Sequence, residues 1–228
     1  MINRLTIYFP YYNQPEALIN QLEIISKYTA DIRKRLYVFI VDDGSQKYNA
    51  LSVIQKNYRD QLDITLYRID IDIPWNLPEA DNLAFREINT DYVIRLDIDH
   101  FLNEESILNI LSLNIKDNVC YKFSRKNFKT KEILTSHNNS YLISKKNYWN
   151  IGGYNEYFSG NYGYHDIEFS SRLSKIIKTE VLDICIFVYS DYATKGLDRD
   201  CNINRKKLKE PSIPHLTFVN SNKYIKQL

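Results

Sequence analysis

Asp97-Ile98-Asp99 sets two carboxylates two residues apart, directly after an apolar run from Tyr92 to Leu96. In an extended segment both can face the same side. Hard divalent cations take oxygen ligands and commonly bridge one or two carboxylates to the phosphates of a substrate. Asp70-Ile71-Asp72 has the same spelling, but it ends a more polar run and leads into Pro74, Trp75 and Pro78, so it ranks as a decoy. Asp42 and Asp43 follow the apolar run Leu36 to Val41, and Asp166 opens a helical pattern after a loop rich in glycine and tyrosine. Each acid alone could merely end a strand or cap a helix. Three such positions in this order predict one shared rim, because the carboxyl ends of a parallel sheet lie together.

The elements that must position these acids alternate. Leu5 to Phe9 reads as a buried strand stopped by Pro10, and Asn13 to Glu16 as a capped helix start, with Leu18, Leu22, Ile25 and Tyr28 on its apolar face. Leu36 to Val41 is uniformly apolar, as a strand covered on both faces must be. A helix over 48–58, a strand over 64–69, a helix over 79–88 and a strand over 92–96 follow. This alternation predicts an α/β domain with a mostly parallel sheet and right-handed crossovers. Val119 to Phe123, Ile133 to Thr135 and Tyr141 to Ser144 read as short strands of a mixed or antiparallel extension, then a helix over 166–178 and a strand over 181–189. Beyond Lys195 the chain turns polar and basic.

Composition narrows the field. The 228 residues carry 44% hydrophobic and 25% charged side chains and a net charge of +2, which fits a globular chain and argues against a dedicated nucleic-acid binder. Three cysteines without a CxxC spacing (Cys120, Cys185, Cys201) suggest a reduced chain without structural zinc. No signal peptide is read at Met1, no apolar run spans a bilayer, and a cytoplasmic location is expected. The sequon Asn138-Asn139-Ser140 reads as chance, and His137 has no evident context.

In order, Val41-Asp42-Asp43-Gly44-Ser45, Ala80-Asp81-Asn82-Leu83-Ala84 and Leu96-Asp97-Ile98-Asp99 resemble the GT-A nucleotide-sugar glycosyltransferases, in particular the large family 2. Gly152-Gly153-Tyr154-Asn155-Glu156 and His165-Asp166 are similar to the GGxDE and [EH]D segments of galactosyltransferase-like relatives. The resemblance covers roughly residues 4–190 and implies a Rossmann-like GT-A domain, a central mostly parallel mixed sheet flanked by helices. It also implies roles. Asp43 would bind the nucleotide base, commonly uracil, with Pro10 and Tyr11 packing around it. Asp97 and Asp99 would form the metal pair, Asn82 would stand at the donor, and Asp166 would be the general base. Trp75, Gly153, Tyr154, Tyr164 and His165 would meet the sugar or the acceptor. Three departures stand out. His165 precedes the base, Asp81 replaces a basic residue expected to contact phosphate, and the third metal ligand falls to Asp191 or to His215 from the tail.

The expectation is therefore a metal-dependent, inverting glycosyltransferase using Mn2+ or Mg2+ and a nucleoside-diphosphate sugar, with UDP favoured and a glycan, lipid-linked or protein acceptor. Residues 1–192 would be the catalytic domain. Residues 193–228 would be a basic tail or lid, able to close over the diphosphate or to meet an anionic membrane surface through Arg199, Arg205, Lys206, Lys207 and Lys209. The alternatives are a retaining hexosyltransferase, a nucleotidyltransferase (for which no glycine-rich phosphate loop follows the first strand) and a non-catalytic nucleotide- or carbohydrate-binding module.

Overall fold

The computed structural model describes residues 2–189, 196–218 and 224–228. In chain order the elements are β1 (Leu5–Tyr11), α1 (Pro15–Ser26), α2 (Ala30–Arg33), β2 (Leu36–Asp42), α3 (Ala50–Val53), α4 (Lys56–Gln61), β3 (Ile64–Ile69), α5 (Leu77–Glu87) and β4 (Tyr92–Arg95). There follow β5 (His100–Phe101), α6 (Glu104–Ser112), β6 (Val119–Asn127), β7 (Ile133–Leu134), β8 (Tyr141–Ser144), α7 (Lys145–Asn150), α8 (His165–Ile176), β9 (Lys178–Val188), α9 (Asn202–Lys207) and β10 (Tyr224–Lys226). One sheet runs β10-β3-β2-β1-β4-β8-β6-β9-β5, with β7 beside β6.

The four central strands β3, β2, β1 and β4 are mutually parallel. β8 turns antiparallel on β4, β6 pairs antiparallel with β8, and β10 closes the other edge antiparallel to β3. This is the mixed α/β sheet expected from the alternation. Both faces are covered, as parallel strands require. Leu5, Ile7 and Phe9 of β1 face Leu18, Leu22 and Ile25 of α1, whereas Tyr8 faces Ala84 and Phe85 of α5.

β1 does not stop at Pro10. Pro10 pairs in register with Val41, and Asp43 N donates to Tyr11 O at 2.9 Å. Pro10 shares the parity of Tyr8, whose carbonyl accepts from Leu96 N at 3.0 Å, so its missing N–H faces β4. There the ladder has already ended at Tyr8 and Arg95, and no bond is forfeited. β1 and β4 part at this point, and the strand order reverses between them.

The helix read over 48–58 is two pieces, broken where Ile54 adopts ψ 101. Asn13 does not cap α1. It takes φ 49, and its side-chain oxygen accepts from Lys47 N and Tyr48 N at 3.0 and 2.9 Å, tying the β1–α1 loop to the loop after β2. Among the described residues no helix is long and apolar enough to cross a membrane.

Candidate active site

Three chain reversals at the carboxyl ends of β1, β2 and β4 build one wall of a cavity of about 510 Å3. After β2, Asp42 turns inward. Its carboxylate is fully buried and accepts from Ser45 N and Ala50 N, both at 2.8 Å, which fixes the loop. Gly44 follows at φ +75, and a Cβ there would lie 2.8 Å from Asp72 Cα. The Asp70-Ile71-Asp72 segment thus props this loop and does not line the cavity. Asp43 does line it, 4% exposed, with Oδ1 lacking any hydrogen-bond partner. Burial and the neighbouring Glu79 push its carboxyl up, against a hydrogen bond with Asn76.

Asp97-Ile98-Asp99 is not extended. His100 N donates to Asp97 O at 2.9 Å, closing a tight turn into β5. Both carboxylates still border the cavity. Behind them lies Arg95, fully buried, with Nε 3.1 Å from Asp81 Oδ1 and NH1 on Asp97 Oδ1 and on Asn139 O, the last at 2.6 Å. The acid at position 81, which the family resemblance marked as a lost phosphate contact, is therefore the counter-charge of Arg95. Burial opposes the Asp97 charge, but Arg95 and His137 hold its carboxyl well below the usual range. Burial and the Asp97 charge push Asp99 up to about 7.

The loop 137–140 joins these groups. His137 Nδ1 lies 3.2 Å from Asp97 Oδ2, and Asn138 Nδ2 donates to Asp166 Oδ2 at 3.4 Å. Asn139 receives Tyr154 OH at 3.0 Å, and Ser140 Oγ bonds His100 Nδ1 at 2.7 Å. No sequence signal beyond a dismissed sequon marked this loop, because each contact is long-range. Asp97, His100 and His137 place one donor atom each within 4.8 Å of one another, a donor set that fits a divalent cation.

The opposite wall comes from 162–167. Tyr164 takes φ 64 immediately before α8, and the cavity meets Tyr164, His165 and Asp166. Trp75 packs on Tyr162 at 4.6 Å and donates Nε1 to Asp198 O at 2.6 Å. Leu197, Arg199 and Cys201 add a border from the C-terminal segment.

The structure thus brings Pro10, Asp43, Trp75, Asp97, Asp99, Tyr164, His165 and Asp166 to one cavity. Tyr11 borders it too, but its ring is buried and its hydroxyl donates to Tyr48 O at 2.5 Å. Asn82, Gly153 and Tyr154 stand elsewhere. Asn82 is wholly buried, donating to Tyr154 O and Glu156 Oε1 and accepting from Tyr148 OH and Tyr154 N. Gly153 sits against it at φ +68, where a Cβ would be 2.5 Å from Asn82 Oδ1. Tyr154 is fully buried and stacks on Phe169 at 4.2 Å. These three hold the wall from behind and offer no surface to a ligand. His215 bonds Gly152 O and is not at the cavity, and Asp191 lies outside the described residues.

Residues 6–177 match the model of glycosyl transferase family 2. No curated protein sequence matches the chain. Among solved structures, S. aureus TarS 1-349 in complex with UDP-GlcNAc aligns with a TM-score of 0.68 at 13% identity, over 86% of this chain and 60% of that one. The mannosyltransferase PcManGT from Pyrobaculum calidifontis, in complex with GDP-Man and Mn2+, aligns at 0.63 and 14% identity, over 92% and 66%. GalNAc-T7 with UDP, GalNAc and Mn2+ aligns at 0.64 and 12% identity, over 82% and 44%. The chain spans less than two thirds of the length of each of these proteins.

Proposed function

The chain belongs to glycosyl transferase family 2, and on that premise we propose that it transfers a sugar from a nucleoside-diphosphate sugar to an acceptor hydroxyl, with a divalent cation and with inversion. The observation that carries this reading is the convergence of Asp43, the Asp97–Asp99 pair and Asp166, from three distant stretches of chain, on one cavity.

Asp43 Oδ1, buried and unpartnered, is an acceptor waiting for an N–H, and the imide of uracil supplies one. UDP is the nucleotide the family resemblance favours, and this acceptor suits it. Asp97 and Asp99 would hold the cation, which when bound stabilises the charge of the departing diphosphate. Arg95 keeps Asp97 ionised and fixed for that role. Asp166, steadied by Asn138, takes the proton from the acceptor hydroxyl as it attacks. A single base on the face opposite the leaving group implies inversion. Trp75, Tyr162 and Tyr164, which line the cavity, would meet the sugar, and Leu197, Arg199 and Cys201 border it from the C-terminal segment.

The test is transfer from UDP-sugars with Mn2+, before and after chelation, in the wild type and in Asp166→Asn. General-base loss should lower kcat by about 10^2- to 10^4-fold with the UDP Kd unchanged. Equal turnover in the variant, or full turnover under chelator, would overturn the reading.

A further inference from the structure

We propose that His137 is a direct ligand of the divalent cation, and that the site it completes prefers a first-row transition ion to Mg2+. The assignment rests on the metal-dependent reading above and names a residue that neither the acidic pair nor the C-terminal segment supplies.

Asp97 has one carboxylate oxygen committed to Arg95, so only Oδ2 is offered to the site. That oxygen faces His137 Nδ1 at 3.2 Å. Two adjacent ligands of an octahedral ion, each bonded at about 2.1 Å, stand roughly 3 Å apart. The spacing of the pair already matches one edge of such a shell. His100 completes the group of three but acts as its wall. Its Nδ1 bonds Ser140 Oγ at 2.7 Å, its Nε2 lies 3.4 Å from Arg125 NH1, and it is 2% exposed. His137, by contrast, borders the cavity together with Asp97 and Asp99.

The imidazole is also held in place. Its loop is fastened by Arg95 NH1 to Asn139 O and by Lys122 Nζ to Asn138 O, both at 2.6 Å. The ring lies edge-on to His100 at 5.4 Å, and the long contact in which Asn139 N donates to Nδ1, at 3.3 Å, must give way when that nitrogen's lone pair goes to the ion. A ligand pre-positioned by such partners loses little freedom on binding. Mg2+ favours an all-oxygen shell and keeps its waters, whereas imidazole nitrogen suits transition ions. One nitrogen beside carboxylates therefore predicts Mn2+ over Mg2+, and Co2+ tighter than Mn2+.

The experiment measures Mn2+ and Mg2+ binding to the full chain saturated with UDP by calorimetry, and 14N coupling to bound Mn2+ by pulsed electron paramagnetic resonance. The wild type should show directly bound nitrogen. His137→Ala should lose that coupling and bind Mn2+ about 10- to 100-fold more weakly, with Mg2+ changed less than about 3-fold. His137→Asp should restore cation binding with the Mn2+ preference reduced. Melting of each variant without metal separates a ligand effect from misfolding, and His137→Asn serves if the alanine variant is unstable. Unchanged Mn2+ affinity or persisting nitrogen coupling in the variants overturns the assignment. Failure of the parent reading looks different: nitrogen coupling intact in a wild type that transfers sugar from no donor.

Discussion

His165 is an imidazole with no bond to make. It is 5% exposed, neither ring nitrogen has a hydrogen-bond partner, and burial lowers its pKa below the ordinary histidine value, against the pull of Asp166 and Asp81. Above about pH 6.5 it is neutral whether the chain is folded or not, and it adds no pH dependence to stability there. As the pH falls through that value the unfolded chain takes up a proton that the folded chain refuses, so stability drops, by at most about 1.4 kcal/mol per pH unit, until the lowered folded pKa is passed. His100, lowered to about 4 by burial, acts with the same sign, while the raised carboxyls of Asp43 and Asp99 act with the opposite one. The informative quantity is the difference between proteins. His165→Phe should lose less stability than the wild type between pH 6.5 and 5 in urea titrations. Parallel curves would show that His165 charges freely in the folded state.

Loops and helices divide by how far their contacts reach. The strands were legible because an apolar run of β-branched and aromatic residues has few other uses. So was the rim of acids, since strand order follows from alternation. The tight turn of Asp97-Ile98-Asp99, the passage of β1 through Pro10 and the break at Ile54 were not, because each depends on a partner supplied by another element. The 137–140 loop was invisible for the same reason, and so was Arg95, an arginine set in an apolar strand whose compensating Asp81 lies on a different element. Asn82, Gly153 and Tyr154 matched motif positions yet serve as packing. α9 is a case of reach beyond the local sequence. Asn204 is fully buried, and its amide nitrogen lies 3.0, 2.8 and 2.8 Å from the carbonyls of Phe158, Asn161 and Gly163, in the loop that leads to Asp166. Asn204→Ala strands those carbonyls, at a cost of about 1–3 kcal/mol. We expect a lower melting temperature and a lower kcat with unchanged UDP affinity. A matching loss of UDP binding would show that the element supports the whole cleft and not the acceptor side alone.

At the scale of the molecule the cleft is a junction. The side that carries Asp43 hangs on β1 and β2, the acidic turn on β4, and the other wall on α8 and the C-terminal segment, whose later part returns as β10 to the edge of β3. A ligand that touches Asp43 and the 97–99 turn together bridges the point where β1 and β4 part. Binding there should oppose unfolding of the sheet as a whole. It should also be coupled, since a diphosphate brings charge to the cation and the cation brings charge to the diphosphate. Linkage then requires that Mn2+ tighten UDP by the same factor as UDP tightens Mn2+. At 100 times its Kd, UDP with Mn2+ should stabilise the chain by about 2.7 kcal/mol. For a domain of this size that amounts to a rise of roughly 5–11 °C in melting temperature. UDP with chelator should give a smaller shift, and the Asp99→Ala chain should respond to UDP alike with and without Mn2+. Equal shifts for UDP with and without the ion in the wild type would mean that nucleotide and cation do not share the cleft, and the convergence of the four aspartates would then have another cause.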